Sequence, residues 1–196
     1  LNARALVVAK GSDTPAIQAA ENHGIQVLEL ETHADGPAGA FTLGQTGSTE
    51  GPRNQTVGYA EADDVALVLH TSGTTSRPKI VPLTHRNICR SAANIQNTLR
   101  LEPTDVCLNI MPLFHIHGLM AAILATLGKG ASVCCSPGFD ALKFYSWLQQ
   151  SSPTWYTAVP TMHQAIIARA KRNDDAVKNA RLRFVRSSSS SLPPQV

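Results

Sequence analysis

Apolar and polar positions along this chain change period repeatedly, and each change predicts an element. Ala3–Ala9 (ARALVVA) is a short unbroken apolar run bounded by turn residues, the pattern of a buried strand. Gly11–Pro15 reads as a turn in which Thr14 caps a helix and Pro15 occupies its first position. The helix runs through Ile17, Ala20 and Glu21 and stops near Gly24, after which Ile25–Leu30 (IQVLEL) is a second strand. Strand, helix and strand in that order imply a parallel pair with a right-handed crossover. The first turn lacks G-x-G-x-x-G, so this unit reads as scaffold and carries no dinucleotide signature.

From Glu31 to Ala60 the periodicity is lost and Gly, Thr, Pro and Asn accumulate, which predicts a long connection between two substructures. The expected division is therefore 1–60, a β-α-β unit with its connecting loop, and 61–196, a second α/β unit. In the second unit Val65–Leu69 and Ile80–Leu83 read as extended segments. Thr84 caps a helix with Ile88, Ala92, Ile95 and Leu99 on one face, and Pro103 bars its continuation. Val106–Met111 is a strand, Leu119–Leu127 a helix apolar all round, and Ala131–Cys135 a strand. Ala141–Gln150 is a helix facing inward through Leu142, Tyr145 and Leu148, and Trp155–Val159 is a strand. Thr161 caps a helix with Met162, Ala165, Ile166 and Ala170 inward, and Leu182–Arg186 is the last strand. Strands alternating with helices place the chain in the α/β class, with mainly parallel β-α-β layers.

Composition changes this picture little. A 43% hydrophobic, 16% charged chain of 196 residues is ordinary for a globular protein, and a net charge of +3, scattered along it, makes no case for nucleic acid. No apolar run has membrane-spanning length. Cys89, Cys107, Cys134 and Cys135 fit no C-x-x-C or metal-ligand spacing and read as buried free thiols of a reducing compartment. The first residues carry no basic-then-apolar leader, and both ends look cut, which suggests part of a longer protein.

The candidate chemistry lies in three polar stretches that follow strands. Thr71–Lys79 reads TSGTTSRPK. Ser72, Gly73, Thr74, Thr75 and Ser76 can turn backbone N–H groups and hydroxyls around phosphate oxygens, and Lys79 adds a point charge. The stretch is not a Walker A motif: the second glycine is absent, and Pro78 favours extended backbone before it. An ordinary Ser/Thr/Gly turn is the bland alternative. The second stretch, Pro112–Gly118, sets His115 and His117 just past a strand's carboxyl end, where open α/β sheets gather ligands. A third metal ligand is missing nearby, so a metal site is not expected. The third, Ser187–Ser191, reads by composition as linker and by position as another strand-end loop.

TSGTTSRPK followed by VPLTHRNI resembles the phosphate loop of the AMP-forming acid–CoA ligases, the acyl-adenylate superfamily, and looks most like its oxalate–CoA ligase branch. PLFHIHGL, TWYTAVPTMHQ and LRFVRSSSSSLPP resemble the family's following motifs in order. Two departures stand out: Ser76 where the family usually has glycine, and serines at 188–191 where a Gly-Ala-Ala-Pro type loop is usual. The resemblance implies part of the N-terminal domain of an adenylate-forming enzyme. It implies ATP phosphates at residues 71–76 and 79, with Mg²⁺ sharing their charge, and CoA as the thiol. His115 would be the catalytic-site gate beside the acyl pocket, and His117, Ser188, Ser189 and Ser190 the polar lining on the substrate and adenine side. Such donors suit a small, highly charged acid such as oxalate. Later family motifs have no counterpart in these residues, so the piece alone is expected to lack turnover. A cytoplasmic setting is expected, and a peroxisomal signal would lie beyond Val196. An adenylating enzyme that loads a carrier protein, and a non-catalytic nucleotide-binding module, are the competing readings.

Overall fold

A computed structural model describes residues 3–45, 58–71 and 79–194. The chain divides into two compact units, 1–58 and 59–196. In the first, β1 (Ala5–Ala9) and β2 (Gln26–Thr32) are parallel, paired from Ala5↔Gln26 to Ala9↔Leu30. Helix α1 (Pro15–Asn22) makes the crossover, with the Thr14 hydroxyl accepting from the Ala16 N–H at 3.4 Å and Pro15 in the first turn. The stretch after Glu31 is not structureless as expected. Strand β2 continues to Thr32, and β3 (Phe41–Gln45) pairs antiparallel with it from Leu28↔Gln45 to Thr32↔Phe41. The open edge of β2 supplies a ladder that a five-residue segment can complete with backbone alone, so composition gave little warning. A His33 Nε2–Thr42 Oγ1 contact of 2.7 Å links the two arms of this turn.

In the second unit β4 (Val65–Thr71) and β5 (Lys79–Thr84) form their own antiparallel ribbon, paired from Val65↔Thr84 to Thr71↔Lys79. The strands flanking residues 72–78 thus belong to a ribbon separate from the parallel sheet. Residues 72–78 are too few for the crossover that a parallel pair requires. The Thr84 hydroxyl accepts from the Asn87 N–H at 3.2 Å while the Asn87 side chain accepts from the Thr84 N–H at 3.0 Å, a reciprocal cap for α2 (His85–Leu99). The helix ends where Arg100 turns left-handed (φ 49°), before Pro103 is reached.

The main sheet is parallel throughout, in the order β7 (Ser132–Cys135), β6 (Val106–Asn109), β8 (Trp155–Ala158), β9 (Phe184–Ser187). Both faces are covered, which is why its strands read as continuous apolar runs. On one face Leu108, Tyr156 and Ala158 pack with Phe144, Tyr145 and Leu148 of α4 (Phe144–Ser151) and Ile166 of α5 (Pro160–Ile167). On the other, Cys107 and Trp155 pack with Leu101, Ala122 and Ala125. The last two belong to a π-helix (His117–Leu124) and its α-helical continuation α3 (Ala125–Leu127). A short 3₁₀ turn (Ala170–Asn173) and α6 (Asp174–Lys178) lead to β9.

Buried Asp105 ties the amino ends of three strands. Its carboxylate accepts from Arg183 Nη2 at 2.6 Å, Thr154 Oγ1 at 2.7 Å and the Glu102 N–H at 2.8 Å. Burial pushes the Asp105 pKa up, but the hydrogen bonds from Arg183, Thr154 and Glu102 outweigh it and hold it below the usual carboxylate value.

Several local expectations are corrected. Leu142 is 77% exposed, because α4 starts at Phe144 and leaves it in the preceding turn. Helix α5 begins at Pro160 after Val159, so Thr161 lies within it and caps nothing, and Ala170 falls in the 3₁₀ turn. Of the cysteines only Cys107 is buried; Cys89 lies off the inward face of α2 and Cys135 at a strand end, both exposed. Among the described residues no helix is long and apolar enough to cross a membrane.

Candidate functional site

The three polar stretches meet different fates. Ser72, Gly73, Thr74, Thr75 and Ser76 lie outside the described residues; their flanks, Thr71 and Lys79, are exposed cross-strand partners at the end of the ribbon. The other two stretches converge at the carboxyl ends of β6, β8 and β9.

After β6 the chain turns sharply. The Asn109 side chain fixes that turn, donating from Nδ2 to the Met111 carbonyl at 3.1 Å and accepting from the Met111 N–H at 3.2 Å. Leu113, Phe114, His115 and Ile116 then stand exposed, Phe114 at 86%. The π-helix starts at His117, whose N–H donates to His115 Nδ1 at 3.1 Å. It can start there because residue 118 is glycine: a Cβ would lie 2.4 Å from the Pro112 carbonyl oxygen.

This start carries the His117 ring inward, to 5% exposure. Its Nε2 lies 2.6 Å from Thr157 Oγ1 and 3.2 Å from Arg186 Nη1, and its Nδ1 lies 3.1 Å from Ser189 Oγ. Arg186 Nη1 also donates to Thr157 Oγ1 at 3.1 Å. The parallel register explains the meeting, since Thr157 pairs with Asn109 on one side and Arg186 on the other. Ser189 follows β9 with a left-handed backbone, φ 76°, rare for a residue with a side chain.

The electrostatics of the cluster are one-sided. Burial first, then the charge of Arg186 and the neighbouring His115 and His163, pull the His117 pKa from 6.5 to about 4, so the ring is neutral at physiological pH. Burial also lowers the Arg186 pKa, but a guanidinium retains its charge. Among the described residues no carboxylate pairs with Arg186, whereas Arg183, Arg86, Lys10 and Lys178 each have an acidic partner. A half-buried, unpaired cation ringed by hydroxyl and imidazole groups is suited to receiving an anion.

Of the residues expected from sequence, His117 and Ser189 come together. His115 contacts the cluster only through the His117 backbone. Ser188 donates its backbone N–H to the Ala158 carbonyl at 3.2 Å, and neither it nor Ser190 bonds the cluster through a side chain. Thr157 and Arg186 were missed. A polar residue inside the buried run WYTAV, and a cation at the end of FVRS, were the available signals. Among the described residues no group of three or more His, Cys, Asp or Glu could hold a metal ion.

A protein-family model described as AMP-binding enzyme matches residues 1–196. The chain is similar to an oxalate–CoA ligase of Arabidopsis thaliana, 37% identical over the whole chain and 38% of the relative. It is also similar to an oxalate–CoA ligase of Saccharomyces cerevisiae, 44% identical over 70% of the chain and 24% of that relative. The chain thus spans well under half the length of these curated relatives. A crystal structure of ATP-bound MatB from Rhodopseudomonas palustris superimposes with a TM-score of 0.70 at 26% identity, over 96% of this chain and 36% of that one.

Proposed function

The chain belongs to the AMP-binding enzyme family, and from that we propose that it is part of an ATP-dependent acid–CoA ligase whose acid is small and multiply charged, with oxalate the first candidate. The observation that carries the choice of acid is Arg186, half-buried, without a carboxylate partner among the described residues, and set among Thr157, His117 and Ser189. A fatty acid would bring no counter-charge to the half-buried Arg186 guanidinium, at a cost that selects against it. The oxalate–CoA ligase names of two similar proteins support the same choice.

The proposed reaction has two halves. One carboxylate oxygen of the acid attacks the α-phosphorus of ATP, the bond to the bridging oxygen breaks, and pyrophosphate leaves with that electron pair. The CoA thiolate then attacks the acyl carbon and AMP departs. The first half asks the protein for position and charge rather than covalent catalysis. Residues 71–76 and Lys79 would hold the departing phosphates. Arg186 and Ser189 would hold the distal carboxylate, with His117 orienting the Ser189 hydroxyl, leaving the other for reaction. His115 would border the reacting carboxylate through Nε2, since its Nδ1 already accepts the His117 N–H. Mg²⁺ bound by the nucleotide would screen phosphate charge; the described residues offer no carboxylate cluster for it, and no step rests on it.

The test is acid-dependent ATP–pyrophosphate exchange in the full-length enzyme. Oxalate should support exchange at least about 100-fold better than hexanoate, Lys79→Ala should abolish it, and free CoA should yield oxalyl-CoA. Equal exchange with hexanoate would refute the choice of acid. A thioester formed on a carrier protein but never on free CoA would refute the ligase reading.

A further inference from the structure

We infer that Thr157 and Arg186 together fix the direction of a hydrogen-bond chain through His117, so that the Ser189 hydroxyl is left as a donor to a bound anion. The inference rests on the reading of this cluster as the acid subsite and adds a mechanism of selectivity to it.

The argument starts from the guanidinium, which has donors and no acceptor. Arg186 Nη1 lies within hydrogen-bond distance of both His117 Nε2 (3.2 Å) and Thr157 Oγ1 (3.1 Å). A proton on Nε2 would therefore oppose N–H to N–H, so Nε2 must present its lone pair. Neutral imidazole with a free Nε2 carries its proton on Nδ1. Thr157, accepting from Arg186, is then free to turn its own proton onto that single Nε2 lone pair, 2.6 Å away, so the longer Arg186 contact at 3.2 Å acts by charge rather than as a second full hydrogen bond. Nδ1–H in turn donates to Ser189 Oγ at 3.1 Å. With that lone pair engaged, the Ser189 proton points away from the ring. Ser189 is exposed and held in a left-handed conformation, strain that the surrounding contacts must sustain.

Every group offered to a ligand is then a donor: the Ser189 O–H and the remaining N–H groups of Arg186. Such a site favours a carboxylate, which only accepts, over an amide or alcohol that brings protons of its own. Thr157 is thus a positioning residue: fully buried, it acts on the ligand through His117 and Ser189.

The test separates hydrogen-bond order from function. In the chain labelled with ¹⁵N-histidine, long-range proton–nitrogen correlations near neutral pH should show the His117 proton on Nδ1. Thr157→Val, which removes both the hydroxyl donor and the acceptor that holds Arg186 Nη1 against Nε2, should mix the two tautomers, and Thr157→Ser should restore the single one. A proton on Nε2 in the unsubstituted chain overturns the inference, whatever the variants do. In oxalate titrations, Ser189→Ala and Thr157→Val should each weaken binding roughly tenfold. The double variant should be no weaker than either, since both break one chain; independent, multiplying losses overturn the coupling. If the unsubstituted chain carries its proton on Nδ1 yet shows no preference for oxalate over oxamide, the acid-subsite reading falls while the order of hydrogen bonds stands.

Discussion

Acidification from about pH 7 to about pH 5 should destabilise the second unit through His117, and the size of the effect follows from where the ring sits. The imidazole is 5% exposed, and burial with the nearby positive charge of Arg186 takes its pKa from 6.5 to about 4. Above the unfolded value both states are neutral and His117 contributes no pH dependence. Between the two values the unfolded chain binds a proton that the folded one refuses, so stability falls as the pH falls. Below the folded value both states are protonated and the loss levels off. For that shift the full loss is about 3 kcal/mol, of which about 2 kcal/mol is lost by pH 5. Urea unfolding at the two pH values measures it, with His117→Gln as reference. The unsubstituted chain should lose about 2 kcal/mol more than the variant, because His163 and the carboxylates contribute to both and cancel in the difference. Proton resonances of the His117 ring should show no titration down to about pH 5. Equal losses in the two proteins, or a ring titrating near its ordinary pKa, would refute the account of a buried, cation-facing imidazole.

Three further outcomes are expected. Asp105→Ala should lower unfolding free energy by about 2–3 kcal/mol, since it strands Arg183 and Thr154 at the amino end of the sheet, and Asp105→Asn should lose about half as much. The Arg183 side chain is 41% exposed, so solvent screening keeps the loss below that of a fully buried pair. Thr84→Ala removes the reciprocal cap of α2 and should cost about 1 kcal/mol, read as a lower urea midpoint with unchanged slope. Leu108→Ala, at a fully buried position, should cost about 2–5 kcal/mol, whereas Leu142→Ala should stay within about 0.5 kcal/mol. A large loss at Leu142 would mean that α4 begins before Phe144 and turns Leu142 inward.

Where local chemistry dominates, the sequence was legible. The Thr14–Pro15 start of α1 and the Thr84 start of α2 depend on residues within one turn of each other, and both appear as read. The strands of the parallel sheet announced themselves because burial on both faces demands an unbroken apolar run. Failures have two causes, pairing with a distant segment and a helix that starts later than its apolar pattern. Strand β3 is weakly apolar and forms because β2 offers an edge; Leu142 looks inward on a helical wheel but precedes the helix that would turn it inward.

The site divides along the same line. Residue types and spacing along the chain determined that a Ser/Thr/Gly stretch ending in Pro-Lys, a His-x-His pair and a serine run would each follow a strand, and they carried the family resemblance. Which of those groups meet was settled only in three dimensions. Asn109, Thr157 and Arg186 are far apart in sequence and aligned by parallel register, and Gly118 admits the close turn that brings the His117 ring to them. Burial then makes that imidazole neutral beside Arg186, a cation with no carboxylate partner among the described residues, a property of the low-dielectric surroundings that no single segment possesses.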